Sequence, residues 1–378
     1  CGRCHEHCPT HTTDKPLSPK RMNDHLKEFV YKHEKELTGA QTGEVPDLFA
    51  AGAVGEDEIW ACTTCGFCED ACPLFIEEVQ WIVDFRRYKT LTESHFPEEL
   101  TKAFRGLETN SNPWGIGAHK RAEWAAGLGI PSVGEAGSFE WLFYVGCSGS
   151  FDERNRKVAQ AFARLLQKAG VSFAILGEAE GCCGDAARRT GNEYLFQTLA
   201  QANIEIFKEA GVRKIVTACP HGFNTLKHEY PQFGGEFEVW HHSQLLEKLV
   251  QEGKLKPSRK LDLDVAFHDS CYLGRYNGIY DAPRNVMTGI DGVKVSELAL
   301  HHRQGFCCGG GGGRIFMEES LGSRINHRRI EQVRDSGCST VALACPFCNT
   351  MLSDAVKEKE LEGVAVRDIA EILLEAVE

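Results

Sequence analysis

All but one of the 17 cysteines fall into a few fixed spacings, and those spacings limit what this chain can become. Residues 62 to 73 read Cys-Thr-Thr-Cys-Gly-Phe-Cys-Glu-Asp-Ala-Cys-Pro, a C-x-x-C-x-x-C-x-x-x-C-P run, and residues 1 to 9 repeat it from its second cysteine onward. Farther along, Cys147, Cys182-Cys183-Gly184 and Cys219-Pro220 recur as Cys271, Cys307-Cys308-Gly309 and Cys345-Pro346. The offsets of 124, 125 and 126 residues mark an internal duplication. Thiols this dense form disulfides in small secreted proteins, but in 378 residues, and in C-x-x-C and C-P contexts, they suit metal thiolates in a reducing compartment. Cys338 has no counterpart in the other copy and reads as a core thiol.

A hydrophobic content of 42% over this length allows two or three domains with cores of their own. The net charge of −12, with no basic block, repels phosphate backbones, which argues against nucleic acid and weakens a zinc-finger reading. Apolar runs such as Val341-Ala342-Leu343-Ala344-Cys345 fall far short of the ~20 residues of a membrane helix. A cytoplasmic location is therefore expected, with any contact at the inner face of the membrane made through a partner.

The run at 62–73 has the spacing of bacterial ferredoxins, in which the fourth cysteine serves the other of two clusters. Crossed ligation assigns Cys62, Cys65, Cys68 and Cys8 to one cubane [4Fe-4S] cluster, and Cys1, Cys4 and Cys72 to a second. The remaining ligand is expected three residues before Cys1. Zinc in each C-x-x-C pair is the alternative, though zinc ribbons do not require the C-x-x-x-C-P tail. Between the runs, Met22, Leu26, Phe29 and Val30 follow a helical period behind Ser18 as N-cap and Pro19 at N1. Residues 1–96 thus read as an α-helical ferredoxin-like module, with His5, His7, His25 and His33 on solvated surfaces.

Residues 97–138 carry Asn, Gly, Pro and charge and read as an irregular connector. In each copy beyond it, short β-branched runs (142–145, 173–176, 214–217, 265–267, 340–343) alternate with amphipathic segments (154–169, 193–210, 320–335). The expected fold class is α+β multi-domain: the helical module, then two tandem α/β domains at 139–258 and 259–378. The cysteines follow strand ends, the edge where open parallel sheets bind ligands.

The second copy offers five thiolates, Cys271, Cys307, Cys308, Cys345 and Cys348, one more than a cubane needs. Its Gly309 to Gly313 stretch reads as backbone free to wrap a cluster, ahead of a phosphate loop, with Arg314 placed to hold a carboxylate or balance charge. The first copy has Cys147, Cys182, Cys183 and Cys219, with Gly222 where the duplication calls for a cysteine. Four thiolates still suffice for a further iron–sulfur cluster there. His221 is the substitute ligand, or a plain loop histidine.

This pattern, two ferredoxin runs ahead of repeated Cys, Cys-Cys-Gly and Cys-x-x-Cys elements, resembles the Cys-Cys-Gly domain family. That family includes heterodisulfide reductase and the iron–sulfur subunits of anaerobic glycerol-3-phosphate, lactate and glycolate dehydrogenases. Leu17-Ser18-Pro19-Lys20, the string from Gly191 to Gln197, the string from His268 to Gly278, and Met317-Glu318-Glu319 are similar to heterodisulfide-reductase-D-like proteins associated with electron-transferring flavoprotein. The resemblance implies a noncubane [4Fe-4S] cluster on Cys271, Cys307, Cys308, Cys345 and Cys348, with catalytic roles for Cys307, Cys308, His268 and Arg314. His268, Asp269 and Arg275 flank Cys271 and read equally as proton relays or as loop caps. It also implies an electron-transfer subunit of an anaerobic-type oxidoreductase complex. Expected partners are a flavoprotein such as electron-transferring flavoprotein, a heme-b membrane subunit, or a heterodisulfide-reductase-A-like bifurcating module. The alternative is a subunit that itself reduces a small-molecule disulfide. With the repeat boundary near Ser258, the second Cys-Cys-Gly site is expected to be the far electron terminus, a whole domain from the ferredoxin module.

Overall fold

The duplicated cysteines sit on duplicated sheets. In a computed structural model, which describes residues 1–377, the first repeat contains four parallel strands, β1 (Trp141–Phe143), β2 (Phe173–Ala174), β3 (Lys214–Thr217) and β4 (Glu238–His241), in the order β2-β1-β3-β4. The second repeats that order with β5 (Leu263–Phe267), β6 (Val293–Glu297), β7 (Thr340–Leu343) and β8 (Ala365–Asp368) as β6-β5-β7-β8. Val216 lies opposite Trp240 in one sheet, and Val341 opposite Val366 in the other. The inner strands β1 and β7 are buried along their whole length, as parallel strands covered by helices on both faces must be. The helix Glu153–Lys168 starts at Asp152, which accepts the Asn155 N–H at 2.8 Å, and Glu193–Glu209 starts at Asn192, which accepts that of Leu195 at 3.2 Å.

Three strands lie outside the elements expected from sequence, and so do several helices, among them Glu78–Leu91, His242–Gln251, Asp281–Thr288 and Pro346–Glu358. β6 is half-exposed and carries Lys294 and Glu297, so it lacks the unbroken apolar run that marks an inner strand. β4 and β8 are likewise edge strands. Helix Glu99–Asn110 occupies the start of the stretch read as an irregular connector, burying Leu100, Ala103, Phe104 and Leu107 at helical spacing. The third expected helix begins at Ile325 instead of Ser320, because the chain first turns at Gly322 against the Thr13 carbonyl.

The cores run across the repeats. Phe143, Phe162 and Leu246 of the first share one apolar cluster with Phe267, Met287 and Leu373 of the second. A second cluster joins Met22, Ile59 and Ile82 of the N-terminal segment, with Phe104 of the connector helix, to Leu142, Phe196 and Phe207 of the first repeat; the N-terminal module is the segment before residue 97. That segment is helical, with Pro19–Lys32, Glu56–Ala61, Phe67–Ala71 and Glu78–Leu91, and Ser18 accepts the Arg21 N–H at 3.3 Å as its N-cap. No helix among the described residues is long and apolar enough to cross a membrane.

The glycine run fixes where the helical module sits. A Cβ at Gly311 would lie 2.4 Å from the Thr63 carbonyl, and one at Gly312 would lie 2.6 Å from that of Cys62. Only backbone without side chains can approach the second ferredoxin run this closely. Arg86, fully buried, completes the joint by donating to the carbonyls of Ile59, Cys62, Arg189 and Gly312.

Candidate metal centres

In the N-terminal module Cys8, Cys62, Cys65 and Cys68 line one small cavity, the grouping that crossed ligation requires. Cys4 neighbours Cys72, and Cys1 is exposed at the start of the same turn. Gly2 and Gly66, at φ 96° and 72°, take the left-handed conformation that starts each short helix carrying the next ligands. Burial pushes the Cys62 thiol up to about 12 and that of Cys8 up to about 11. Such thiols keep their protons at neutral pH unless a metal displaces them. The donor set is all sulfur, which suits iron–sulfur chemistry.

In the second repeat the thiols form a connected chain. Cys271 touches Cys307, Cys307 touches Cys308, Cys308 lies 3.4 Å from Cys348, and Cys348 meets Cys345. The backbone favours anionic sulfur, since the Gly309 N–H points at Cys307 Sγ at 3.3 Å. Burial opposes ionisation of Cys345, yet the Cys348 thiol donating to it and nearby His221 bring it down to about 7. A ring nitrogen of His268 and the sulfurs of Cys308 and Cys348 all lie within 4.8 Å of one another. His268 Nδ1 accepts from Arg329 Nε at 3.0 Å, so the imidazole keeps its proton on Nε2, and burial followed by Arg329 holds it neutral. Arg329 Nη2 is buried with no partner, close to Cys308 and Cys348, a donor that a bound anionic cluster would satisfy. The residues present therefore fit such a group.

The first repeat brings Cys147, Cys182, Cys183 and Cys219 around another cavity, with Gly222 and His221 in its lining. Cys147 touches Cys182, Cys182 touches Cys183, and Gly184 donates its N–H to Cys182 Sγ at 3.4 Å. His221 does not fill the missing position freely. Its Nδ1 bonds Asp185 Oδ2 at 3.0 Å while its ring stacks on Tyr272 at 4.0 Å.

Three sequence expectations change and one open reading is narrowed. Arg314 is committed to the backbone, donating to the carbonyls of Trp60 and Glu318 because the glycine run turns it away from the thiols. Only the start of the glycine run stays with the thiols, Gly309 and Gly310 aiming their N–H groups at Cys307 and Cys308, while Gly311 and Gly312 abut the ferredoxin module. Of the two readings left open for Asp269 and Arg275 the bonding favours loop caps, since Asp269 is held by Arg284 at 2.7 and 2.9 Å and Arg275 donates to the carbonyls of Cys65, Arg303 and Gly305. Finally, the second site is not remote: Cys65 and Cys307 are in thiol contact, and Cys307 Sγ lies 3.5 Å from Thr63 Oγ1. Distance along the chain misleads because the glycine run folds back onto residues 62–63. Three residues at the sites went unnoticed in the sequence, Arg121, Glu180 and Arg329; no spacing rule marks a buried charge.

Comparison with known proteins agrees with this arrangement. The family described as Cysteine-rich domain matches residues 141–227 and 265–353, and the 4Fe-4S dicluster domain matches residues 1–76. Along its whole length the chain is 31% identical to the D component of dihydromethanophenazine:CoB–CoM heterodisulfide reductase from Methanosarcina barkeri, covering 92% of that protein. The chain belongs to the heterodisulfide reductase D family. It combines a 4Fe-4S dicluster module with two cysteine-rich domains, and an electron-transfer role fits it. Identity is higher, 44% and 43%, to the EtfAB:quinone oxidoreductase of Syntrophomonas wolfei and to the probable iron-sulfur-binding oxidoreductase FadF of Bacillus subtilis. This chain matches both over its whole length and spans 57% and 59% of theirs.

Proposed function

We propose that this heterodisulfide-reductase-D-type chain carries electrons from a flavoprotein, such as electron-transferring flavoprotein, through its ferredoxin-like module to the two cysteine-rich sites. Heme-b membrane and bifurcating subunits are the other partners this reading admits, at the cytoplasmic face of the membrane. Cys8, Cys62, Cys65 and Cys68 would hold one cubane cluster, and Cys1, Cys4 and Cys72 most of a second. Cys271, Cys307, Cys308, Cys345 and Cys348 would hold a noncubane [4Fe-4S] cluster, and Cys147, Cys182, Cys183 and Cys219 a four-thiolate one. When bound, each cluster supplies a one-electron store whose potential follows cluster type, hydrogen bonds to sulfur and exposure.

One observation carries the reading, the contact of Cys65 with Cys307 and the 3.5 Å approach of Thr63 to Cys307. It favours direct exchange between the ferredoxin module and the second site, with the first site beyond it. Cys219 and Cys345 lie close enough to feel each other's charge, so the last step is short as well. His268 lies beside Cys308 and Cys348 with its tautomer set by Arg329, a neutral polar group next to the cluster these thiolates would hold. The test is iron and acid-labile sulfide analysis with Mössbauer spectroscopy of the full-length protein. Iron for four clusters supports the proposal; zinc in place of iron ends it.

One feature favours the second reading, direct reduction of a small-molecule disulfide. A groove of about 1010 Å³ runs between the repeats and reaches Ser148 and Gly309, the neighbours of Cys147 and Cys308. Re-oxidation of the dithionite-reduced protein by added disulfides, followed by stopped-flow absorbance, separates a reductase from a relay.

A further inference from the structure

The first cysteine-rich site has one thiolate fewer than its duplicate, and it has a buried cation instead. Arg121, from the connector ahead of the repeat, is 2% exposed and directs Nη2 at Cys147 Sγ, 3.7 Å away. The same nitrogen donates to the Ser111 carbonyl at 2.9 Å, and Ser111 in turn accepts the Cys182 N–H at 2.9 Å. Arg121 Nη1 meets Glu180 Oε1 at 3.2 Å, and the guanidinium lies over the Phe151 ring at 5.0 Å. Glu180, equally buried, faces the other way. It accepts the N–H groups of Val145 at 3.0 Å and Gly146 at 2.9 Å, the two residues before Cys147. The ion pair is neutral as a unit but oriented, with its positive end on sulfur.

We infer that Arg121 sets the potential of the first cysteine-rich site, raising it so that the site is the electron sink of the chain. This deepens the proposed function and rests on its placing a cluster on Cys147, Cys182, Cys183 and Cys219. Reduction would pass one electron from the second site to the cluster held by these thiolates, adding one negative charge beside them, and no bond to the protein forms or breaks. A guanidinium hydrogen-bonded to one of those sulfurs stabilises the added charge, strongly so where water is excluded. Having four thiolates instead of five acts in the same direction, since less negative charge is present before the electron arrives. Glu180 opposes the effect and limits it, which gives the pair two handles of opposite sign. A residue that merely braced the loop would have one.

The experiment is a redox titration of the cluster-loaded full-length protein, followed by electron paramagnetic resonance, on Arg121→Gln and Glu180→Gln. In Arg121→Gln the reduced-to-oxidised ratio at the first site should fall at least tenfold at fixed potential, a downward shift of about 59 mV for a one-electron couple. Glu180→Gln should move the same signal upward, and the N-terminal signals should stay in place in both. Should Arg121→Gln lose its cluster, Arg121→Lys, which keeps the charge, must hold the midpoint near the natural value while Glu180→Gln still raises it. Shifts of the same sign, or no shift, overturn the inference. A natural protein whose iron accounts for no cluster at the first site overturns the proposed function there, whereas a cluster present but unmoved overturns the inference alone.

Discussion

Replacing Arg86 with Met should loosen the joint on which the electron route depends. Arg86 donates to Ile59 O at 2.9 and 2.6 Å and to Cys62 O at 2.7 Å in the helical module, to Arg189 O at 2.8 Å in the first repeat, and to Gly312 O at 2.9 Å in the second. Burial draws its pKa down to about 10, so it is charged at neutral pH. Met has a similar shape but no donor, which leaves the carbonyls of Cys62, Arg189 and Gly312 unpaired and that of Ile59 with only the Cys62 N–H. Hydrogen bonds to a charged group contribute about 1.5–3 kcal/mol each, but removing the guanidinium also relieves its own desolvation. The net cost should be about 3–5 kcal/mol, as when one partner of a buried charged contact is lost. Set against a total of about 5–15 kcal/mol, that is enough to free the module before the repeats unfold. Urea unfolding followed by circular dichroism should show the loss, and electron paramagnetic resonance should show weaker magnetic coupling between the N-terminal and second-site clusters. A change under about 1 kcal/mol with unchanged coupling would refute the reasoning.

Three further outcomes follow from the sites. At Gly222, where φ is not left-handed, an added Cβ would meet nothing nearer than Cys219 Cβ at 3.8 Å. Gly222→Cys should therefore fold, and should move the resonance spectrum of the first site toward that of the second; an unchanged spectrum argues against a missing fifth ligand. Cys307→Ser should remove the second-site signal and also perturb the cluster near Cys65, so an untouched N-terminal spectrum in the dithionite-reduced variant would contradict their contact. The folded pKa of Cys62 is raised from 9.0 to about 12, so cluster-free protein holds its full stability below pH 9 and loses it as pH rises toward 12, by roughly 4 kcal/mol from this thiol alone. Thermal melts should show that decline without clusters and no such decline with them, because metal-bound thiolates have no proton left to lose.

The ligand spacings and the tandem α/β repeats were legible because both are local: C-x-x-C turns, strand runs and cysteines just after strand ends. The duplicated run also pairs Cys8 with Cys62, Cys65 and Cys68, four thiols that line one cavity in the structure. What escaped was the relation between distant segments. Nothing in Gly309 to Gly313 says that Gly311 and Gly312 meet Thr63 and Cys62, and cluster wrapping was the reading the adjoining thiols suggested. Edge strand β6 has only the short Val293-Lys294-Val295 alternation in place of the apolar run that marked the inner strands. Arg86, Arg121 and Arg329 look like surface residues in a list of letters, and only burial beside carbonyls and thiols reveals their roles. The helix Glu99–Asn110 did have a readable period at Leu100, Ala103, Phe104 and Leu107, hidden by the Asn- and Gly-rich stretch that follows it.

The most direct test of the account is the order in which the sites fill. Rapid mixing of the oxidised, cluster-loaded protein with a reduced flavoprotein, freeze-quenched for electron paramagnetic resonance, should show the N-terminal clusters reduced first. The site of Cys271, Cys307, Cys308, Cys345 and Cys348 should follow, and that of Cys147, Cys182, Cys183 and Cys219 should come last. Reduction of the first-repeat site before the second would contradict a route that passes from Cys65 to Cys307.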